Sequence, residues 1–198
     1  MKRALDIAAA LMALALLWPL LLALALAVRL DSPGPALFRQ ERVGLHGRPF
    51  RIHKFRTMRT GESGPLVTAS GDARITRVGR VLRRHKLDEL PQLLDVLRGR
   101  MSLVGPRPEV ARYMALYPAE ARSVILSVRP GLTDPASIAF RREEELLAAS
   151  PEPERTYIDT LMPLKQRYYL DYVRTQSLRG DLAIVLRTAA ALLGGGGA

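Results

Sequence analysis

The chain has no cysteine, which excludes disulfides, thiolate metal sites and a cysteine nucleophile. Histidine is nearly as scarce: His46, His53 and His85 are scattered without ligand spacing, so a zinc centre is not expected. Acidic residues are few, 19 against 30 lysines and arginines, and the net charge of +11 calls for an anionic partner. Nucleic acid, anionic lipid and a phosphorylated substrate all satisfy that balance. Lysine is rare too, confined to Lys2, Lys54, Lys86 and Lys165. The most informative absence is local, since no charged residue occurs from Ile7 to Val28. As a helix this run spans roughly 33 Å, about one hydrocarbon thickness. The 198 residues leave room for one folded domain beside it.

A signal peptide would have a shorter apolar stretch and a small-residue cleavage site, whereas Arg29-Leu30-Asp31 follows here. Pro19 lies near the middle of the run. It has no N–H and its ring displaces the Ala15 carbonyl, so a kink or break is expected there. A bitopic anchor with a kink is the plain reading. The flanks point elsewhere: Lys2 and Arg3 precede the run, and Arg29, Arg39, Arg42, Arg48 and Arg51 follow it. Basic residues favour the cytoplasmic side, so a helix–break–helix that enters one leaflet and returns satisfies both ends. Residues 1–31 are accordingly expected to form a re-entrant membrane helix hairpin, and 32–198 a separate domain.

Ser32-Pro33-Gly34-Pro35 ends the membrane segment. Leu37–Val43 and Pro49–Phe55 flank a Gly44–Gly47 turn and read as a β-hairpin, with Phe50 and Ile52 alternating with Arg51 and His53. Thr60–Gly71 has loop composition. Helical spacing follows at Ile75, Val78 and Leu82, then at Leu90, Leu93, Leu94 and Leu97. Met101–Val104 is a short extended piece, Glu109 to Tyr117 a helix, and Arg129-Pro130-Gly131 opens a loop. Two helices are expected at the end, Met162–Val173 and Asp181–Leu193, before a flexible Gly194–Gly197. Leu182, Val185, Leu186, Ala189 and Leu193 share one side of the second, which suits a packed or interfacial helix. The fold class is therefore α+β, mainly helical, with a small β-hairpin and amphipathic interfacial helices.

Three motifs carry potential chemistry. In Arg83–Gly99, Asp88 and Glu89 are adjacent carboxylates before an apolar helix, with Arg83, Arg84 and Lys86 upstream. The bland reading makes Asp88 an N-cap and Glu89 a first-turn acid. The functional reading makes this a phosphate site at a helix start, where a carboxylate serves as nucleophile on phosphorus or as a Mg²⁺ ligand. In Ser102–Glu109, Pro106 and Pro108 fix the backbone around Arg107 and present its guanidinium with little freedom, though a simple tight turn also explains them. Lys54–Met58 (KFRTM) could be no more than a solvated strand end.

KFRTM, LDELPQL, SLVGPRP, RPGLTDPAS and LDYVRTQSLRGDLAIVLRT occur here in that order, after an initial KRALDI. Together they resemble the bacterial sugar transferases, the small monotopic phosphoglycosyl transferases, over nearly the whole chain. The resemblance implies a proline-broken re-entrant helix, with the remaining chain on the cytoplasmic face of the inner membrane. It implies a UDP-sugar donor, a polyprenyl phosphate acceptor and Mg²⁺. By position, Asp88 would be the nucleophile and touch Mg²⁺, and Glu89 would assist proton transfer or order the metal shell. Lys54, Arg83, Arg107 and Arg141 would meet phosphate or nucleotide. The resemblance also admits a homodimer and a role in exopolysaccharide synthesis. Two departures stand out: Trp18 occupies a position where the family often has serine, and Asp134 one where many members have glycine. The charge alone would suit a nucleic-acid binder, but no reading motif is present and Ile7–Val28 would be unexplained. A non-catalytic membrane-surface scaffold is the stronger rival, yet it needs neither the Asp88-Glu89 pair nor the GPRP loop.

Overall fold

The computed structural model describes residues 1–61, 64, 67–69 and 71–193. The Thr60–Gly71 loop lies partly, and Gly194–Gly197 wholly, outside the described residues. A long helix α1 (Lys2–Asp31) is followed by the expected hairpin, β1 (Leu37–Val43) and β2 (Pro49–Phe55), antiparallel with Leu37 opposite Phe55. Next come α2 (Arg77–Arg84), a tight 3₁₀ turn (Leu87–Gln92) and α3 (Leu93–Leu97). The short strand β3 (Ser102–Val104) pairs in parallel with β4 (Gly131–Thr133), a segment whose composition had suggested only a loop. Between them lie α4 (Ala111–Met114) and α5 (Ala119–Ile125). After β4 the chain is helical: α6 (Pro135–Ala139), α7 (Glu143–Ala148), α8 (Pro153–Thr156), α9 (Met162–Thr175) and α10 (Leu178–Leu193).

The expected division of α1 into two helices at Pro19 is absent from the backbone, which stays helical from Lys2 to Asp31. Proline removes one hydrogen bond and strains one turn, at a cost of about 3 kcal/mol, and the flanking turns retain their bonds. Both halves of α1 rest on the same folded body. Near the start, Asp6 is buried and accepts from Ser102 Oγ at 2.8 Å and from Leu103 N at 3.1 Å. Ala10 is fully buried among Ile52, Leu93, Val96 and Met101. Lys2 reaches Val104 O at 3.1 Å and pairs with Asp181 of α10. Near the end, Val28 packs on Phe55 and Leu82, and Asp31 Oδ2 accepts from Val78 N at 2.9 Å. Arg56, 3% exposed, donates to the carbonyls of Val28, Ser32, Pro33 and Pro35, placing a cation at the negative end of α1. Between these contacts Leu11, Met12, Leu16, Trp18, Leu22 and Leu26 face outward, an apolar surface with no protein partner among the described residues.

Elsewhere sequence and structure differ for identifiable reasons. The helix expected over Glu109–Tyr117 shrinks to Ala111–Met114, because Glu109 O accepts from Val43 N at 2.8 Å and Val110 stays extended. The Glu109 carboxylate is buried and accepts from Tyr157 OH. His53, expected on the outer side of β2, is instead buried. The β3–β4 pairing depends on glycine at two facing positions, since a Cβ on Gly131 would fall 2.1 Å from Gly105 N. On α10, Leu182 and Leu186 are each 60% exposed while Thr188 bonds Thr133 at 2.7 Å. One face of that helix is held by the domain, and the other is apolar and open.

Candidate functional site

Helix α2 packs hard against the chain leaving β2: a Cβ on Gly79 would lie 2.1 Å from Thr57 O. Thr76 caps this helix by accepting from Gly79 N at 3.0 Å. The chain then bends through Lys86, whose φ of 54° is left-handed, into the tight turn that carries Asp88 and Glu89. Asp88 is therefore not a helix N-cap, as the bland reading had it. It sits within the turn, and Pro91 continues that turn without the donor a longer helix would need.

Glu89 is the electrostatic centre. Lys54 Nζ donates to its Oε1 at 2.9 Å, and Arg107 donates Nη1 to Oε2 at 2.9 Å and Nη2 to Oε1. Burial alone would raise the pKa of this carboxyl, but Arg107 and then Lys54 hold it well below the usual carboxylate range. Reciprocally, Glu89 holds Arg107 well above its ordinary value, while burial pulls Lys54 down against the attraction of Glu89. The proline-flanked guanidinium thus makes a two-bond fork onto a carboxylate.

Asp88 has the opposite character. It is 7% exposed, and its Oδ1 has no hydrogen-bond partner among the described residues. Burial, then the charge of Glu89, raises its pKa above the usual carboxylate value. Of two adjacent acids, one is saturated by cations and the other is desolvated with an unpartnered oxygen. Among the described residues no group of three acidic or histidine side chains could by itself enclose a metal ion.

The remaining residues singled out from the sequence are distributed unevenly. Arg83 is engaged by Glu144 of α7, its Nη2 2.8 Å from Oε1. Lys54, Glu89 and Arg107 are joined by ion pairs with Asp88 beside them, whereas Arg141 makes no side-chain hydrogen bond or ion pair among the described residues. Asp134 caps α6 by accepting from Ser137 N at 3.0 Å, and burial raises its carboxyl. Sequence reasoning missed two supports. Asp95 accepts from His53 N at 2.9 Å and lies 2.8 Å from His53 Nδ1, tying β2 to α3 beside Lys54. A lone carboxylate inside the apolar run Leu93-Leu94-Asp95-Val96-Leu97 was the available signal. The second is Glu144, for which nothing in the sequence names a partner.

Comparison with known proteins identifies the family. Residues 1–195 match the family model described as bacterial sugar transferase. The chain is 48% identical to a UDP-glucose:undecaprenyl-phosphate glucose-1-phosphate transferase of Caulobacter vibrioides, covering 97% of this chain and 69% of that protein. It is 39% identical to a UDP-N-acetylgalactosamine-undecaprenyl-phosphate N-acetylgalactosaminephosphotransferase of Aeromonas hydrophila, over 100% of this chain and 44% of the relative. A transferase of Escherichia coli with the same description as the Caulobacter protein is 41% identical, over 95% and 39% respectively. The chain thus spans about two thirds of the first relative and less than half of the other two. The chain belongs to the bacterial sugar transferase family, the monotopic polyprenyl-phosphate sugar-1-phosphate transferases.

Proposed function

We propose that this protein transfers a sugar 1-phosphate from a UDP-sugar to polyprenyl phosphate in two displacements on Asp88. The observation that carries the reading is the contrast between the two acids. Glu89 has both oxygens bound to cations and is a poor nucleophile and a poor proton carrier. Asp88 has a desolvated, unpartnered Oδ1. In the first displacement that oxygen bonds to the sugar-linked phosphorus, the bond to the bridging oxygen breaks, and UMP leaves with the electron pair. In the second, a polyprenyl phosphate oxygen bonds to the same phosphorus and Asp88 departs as the free carboxylate. Two steps let one pocket serve a soluble donor and a lipid acceptor in turn.

The cations are placed to act on phosphoryl charge. Arg107, Lys54 and Arg83 would meet the diphosphate, with Glu89 fixing the first two in position rather than moving a proton. Mg²⁺ fits the Asp88 carboxylate, whose second oxygen would hold it while Oδ1 attacks, because this ion accepts one or two carboxylates and completes its shell with substrate phosphate and water. When bound it would neutralise charge on the transferring group. Arg141, unpaired, is the further phosphate-binding candidate. The direct test is to incubate the purified protein in detergent with a panel of UDP-sugars, polyprenyl phosphate and Mg²⁺. Release of UMP dependent on one donor is expected, and no UMP with any donor would leave the scaffold reading in place.

The pH profile discriminates further. If Asp88 must be ionised to attack, the rate falls on the acid side as Asp88 is protonated. Glu89→Gln removes the like charge that raises Asp88 and leaves Lys54, which lowers it, without its partner. The acid limb should therefore move to lower pH, even though the maximal rate drops. A shift to higher pH would assign the limb to another group.

The membrane arrangement belongs to the same proposal. Both ends of α1 are bound to one body, which a straight span normal to the bilayer would not allow. A helix bent at Pro19 would dip its outward apolar middle into one leaflet and keep both ends at the cytoplasmic face, with the open side of α10 against the lipid. The cysteine-free chain makes this measurable. Cysteines placed at exposed Ala4 and Arg48 should both resist an impermeant thiol reagent in intact cells and both react after lysis. Labelling of position 4 alone in intact cells would show a straight span.

A further inference from the structure

Arg83 is not an empty phosphate site. Its Nε donates to Glu144 Oε2 at 3.2 Å and its Nη2 to Glu144 Oε1 at 2.8 Å, a two-bond fork. Nη1 reaches Thr57 Oγ1 at 3.4 Å. The carboxylate comes from α7, 61 residues further along the chain. A carboxylate presents the same two-oxygen edge to a guanidinium as a phosphoryl group does. We infer that Glu144 is a placeholder for a donor phosphate: it holds the Arg83 fork extended while the site is empty and gives the fork up when the diphosphate arrives. This rests on the reading that Arg83 meets the donor.

Two features select Glu144 for exchange. The first is cost. The Glu144 side chain is 29% exposed, whereas that of Glu89 is 12% exposed and sits between two cations. A part-exposed pair opens at little cost, because water receives the released carboxylate. Breaking the buried Glu89 group leaves an uncompensated charge. The second is anchoring. The neighbouring Glu143 is bound to Lys165 at 3.0 Å, and Leu147 is buried in the core. Helix α7 therefore stays in place, and the exchange needs only a rotamer change of Glu144. The incoming phosphate replaces one acceptor with another on the same fork, so Arg83 does not have to be reoriented.

The test uses the full chain in lipid nanodiscs, with UDP as the probe in the presence of Mg²⁺ and affinity read by calorimetry. Glu144→Gln should tighten UDP binding about threefold, since the competing anion is gone. Arg83→Gln should weaken it, and adding Glu144→Gln to Arg83→Gln should change nothing further. Unchanged or weaker binding by Glu144→Gln, with Arg83→Gln weakened, overturns the placeholder and keeps Arg83 as a donor residue. Unchanged binding by Arg83→Gln overturns the donor assignment and the placeholder together. If Glu144→Gln lowers the thermal midpoint, Glu144→Asp, one methylene shorter, replaces it and must tighten binding in the same direction.

Discussion

Replacing Asp88 with asparagine should lower UMP release at least a thousandfold while leaving the protein as stable as its parent, or more stable. The catalytic part follows from the bond Asp88 is asked to form. An amide oxygen is a far poorer nucleophile than a desolvated carboxylate, and Glu89 next to it cannot substitute because both its oxygens are taken. The stability part follows from the direction of the pKa. Burial and Glu89 raise the folded-state value of Asp88 above the ordinary 3.8, so ionising it costs the folded state. That cost is fully present above the folded pKa and disappears as pH falls below 3.8. Asparagine carries no such cost. The variant's thermal midpoint should match or exceed the parent's at pH 8, and any advantage should shrink toward pH 4. Turnover within tenfold of the parent would remove Asp88 as nucleophile. A midpoint well below the parent's at pH 8 would make it a structural residue.

Arg107→Lys should lower kcat by about a hundredfold, the scale seen when one preorganised donor to a developing charge is lost. The charge survives, but the fork does not. Lysine offers one compact ammonium where arginine makes parallel bonds to Glu89 Oε1 and Oε2. Glu89 would keep Lys54 and lose its second restraint, so both cations nearest Asp88 would be less well placed. Pro106 and Pro108 hold the backbone in either case, which confines the effect to the side-chain head. Arg107→Ala goes further, leaving Glu89 buried with one cation and destabilising the fold. The comparison to make is therefore Arg107→Lys, with kcat and donor KM measured separately at matched thermal stability. Unchanged kcat would reduce Arg107 to a turn residue.

Local signals in this chain translated directly into local structure. The Gly44–Gly47 turn between alternating strands produced the hairpin over the expected residues, because both faces of a two-stranded ribbon are written in its own period. The last two helices appeared where the apolar spacing placed them, each longer by two or three residues. The order of LDELPQL and GPRP was specific enough to point to the family. Boundaries failed where a residue was claimed by something distant in sequence. Glu109 was withdrawn from its helix by Val43 and Tyr157, and Gly131 was drawn into a strand by β3.

The site divides along the same line. That Asp88, Glu89, Arg83 and Arg107 are candidates is visible in the sequence, since an acid pair after a basic stretch and a proline-flanked arginine are local facts. Which acid is open and which is saturated is not visible there. That difference depends on Lys54 and Arg107 arriving at Glu89 from positions 35 residues before and 18 residues after it. The pairing of Arg83 with Glu144 and the seating of both ends of α1 on one body are of the same kind. By itself the sequence determined the apolar run, the hairpin and the reactive residue types, because each is set by neighbours within a few positions. Only the tertiary structure decided acidity and ion pairing, because these depend on burial and charge contributed by parts of the chain that no local pattern connects.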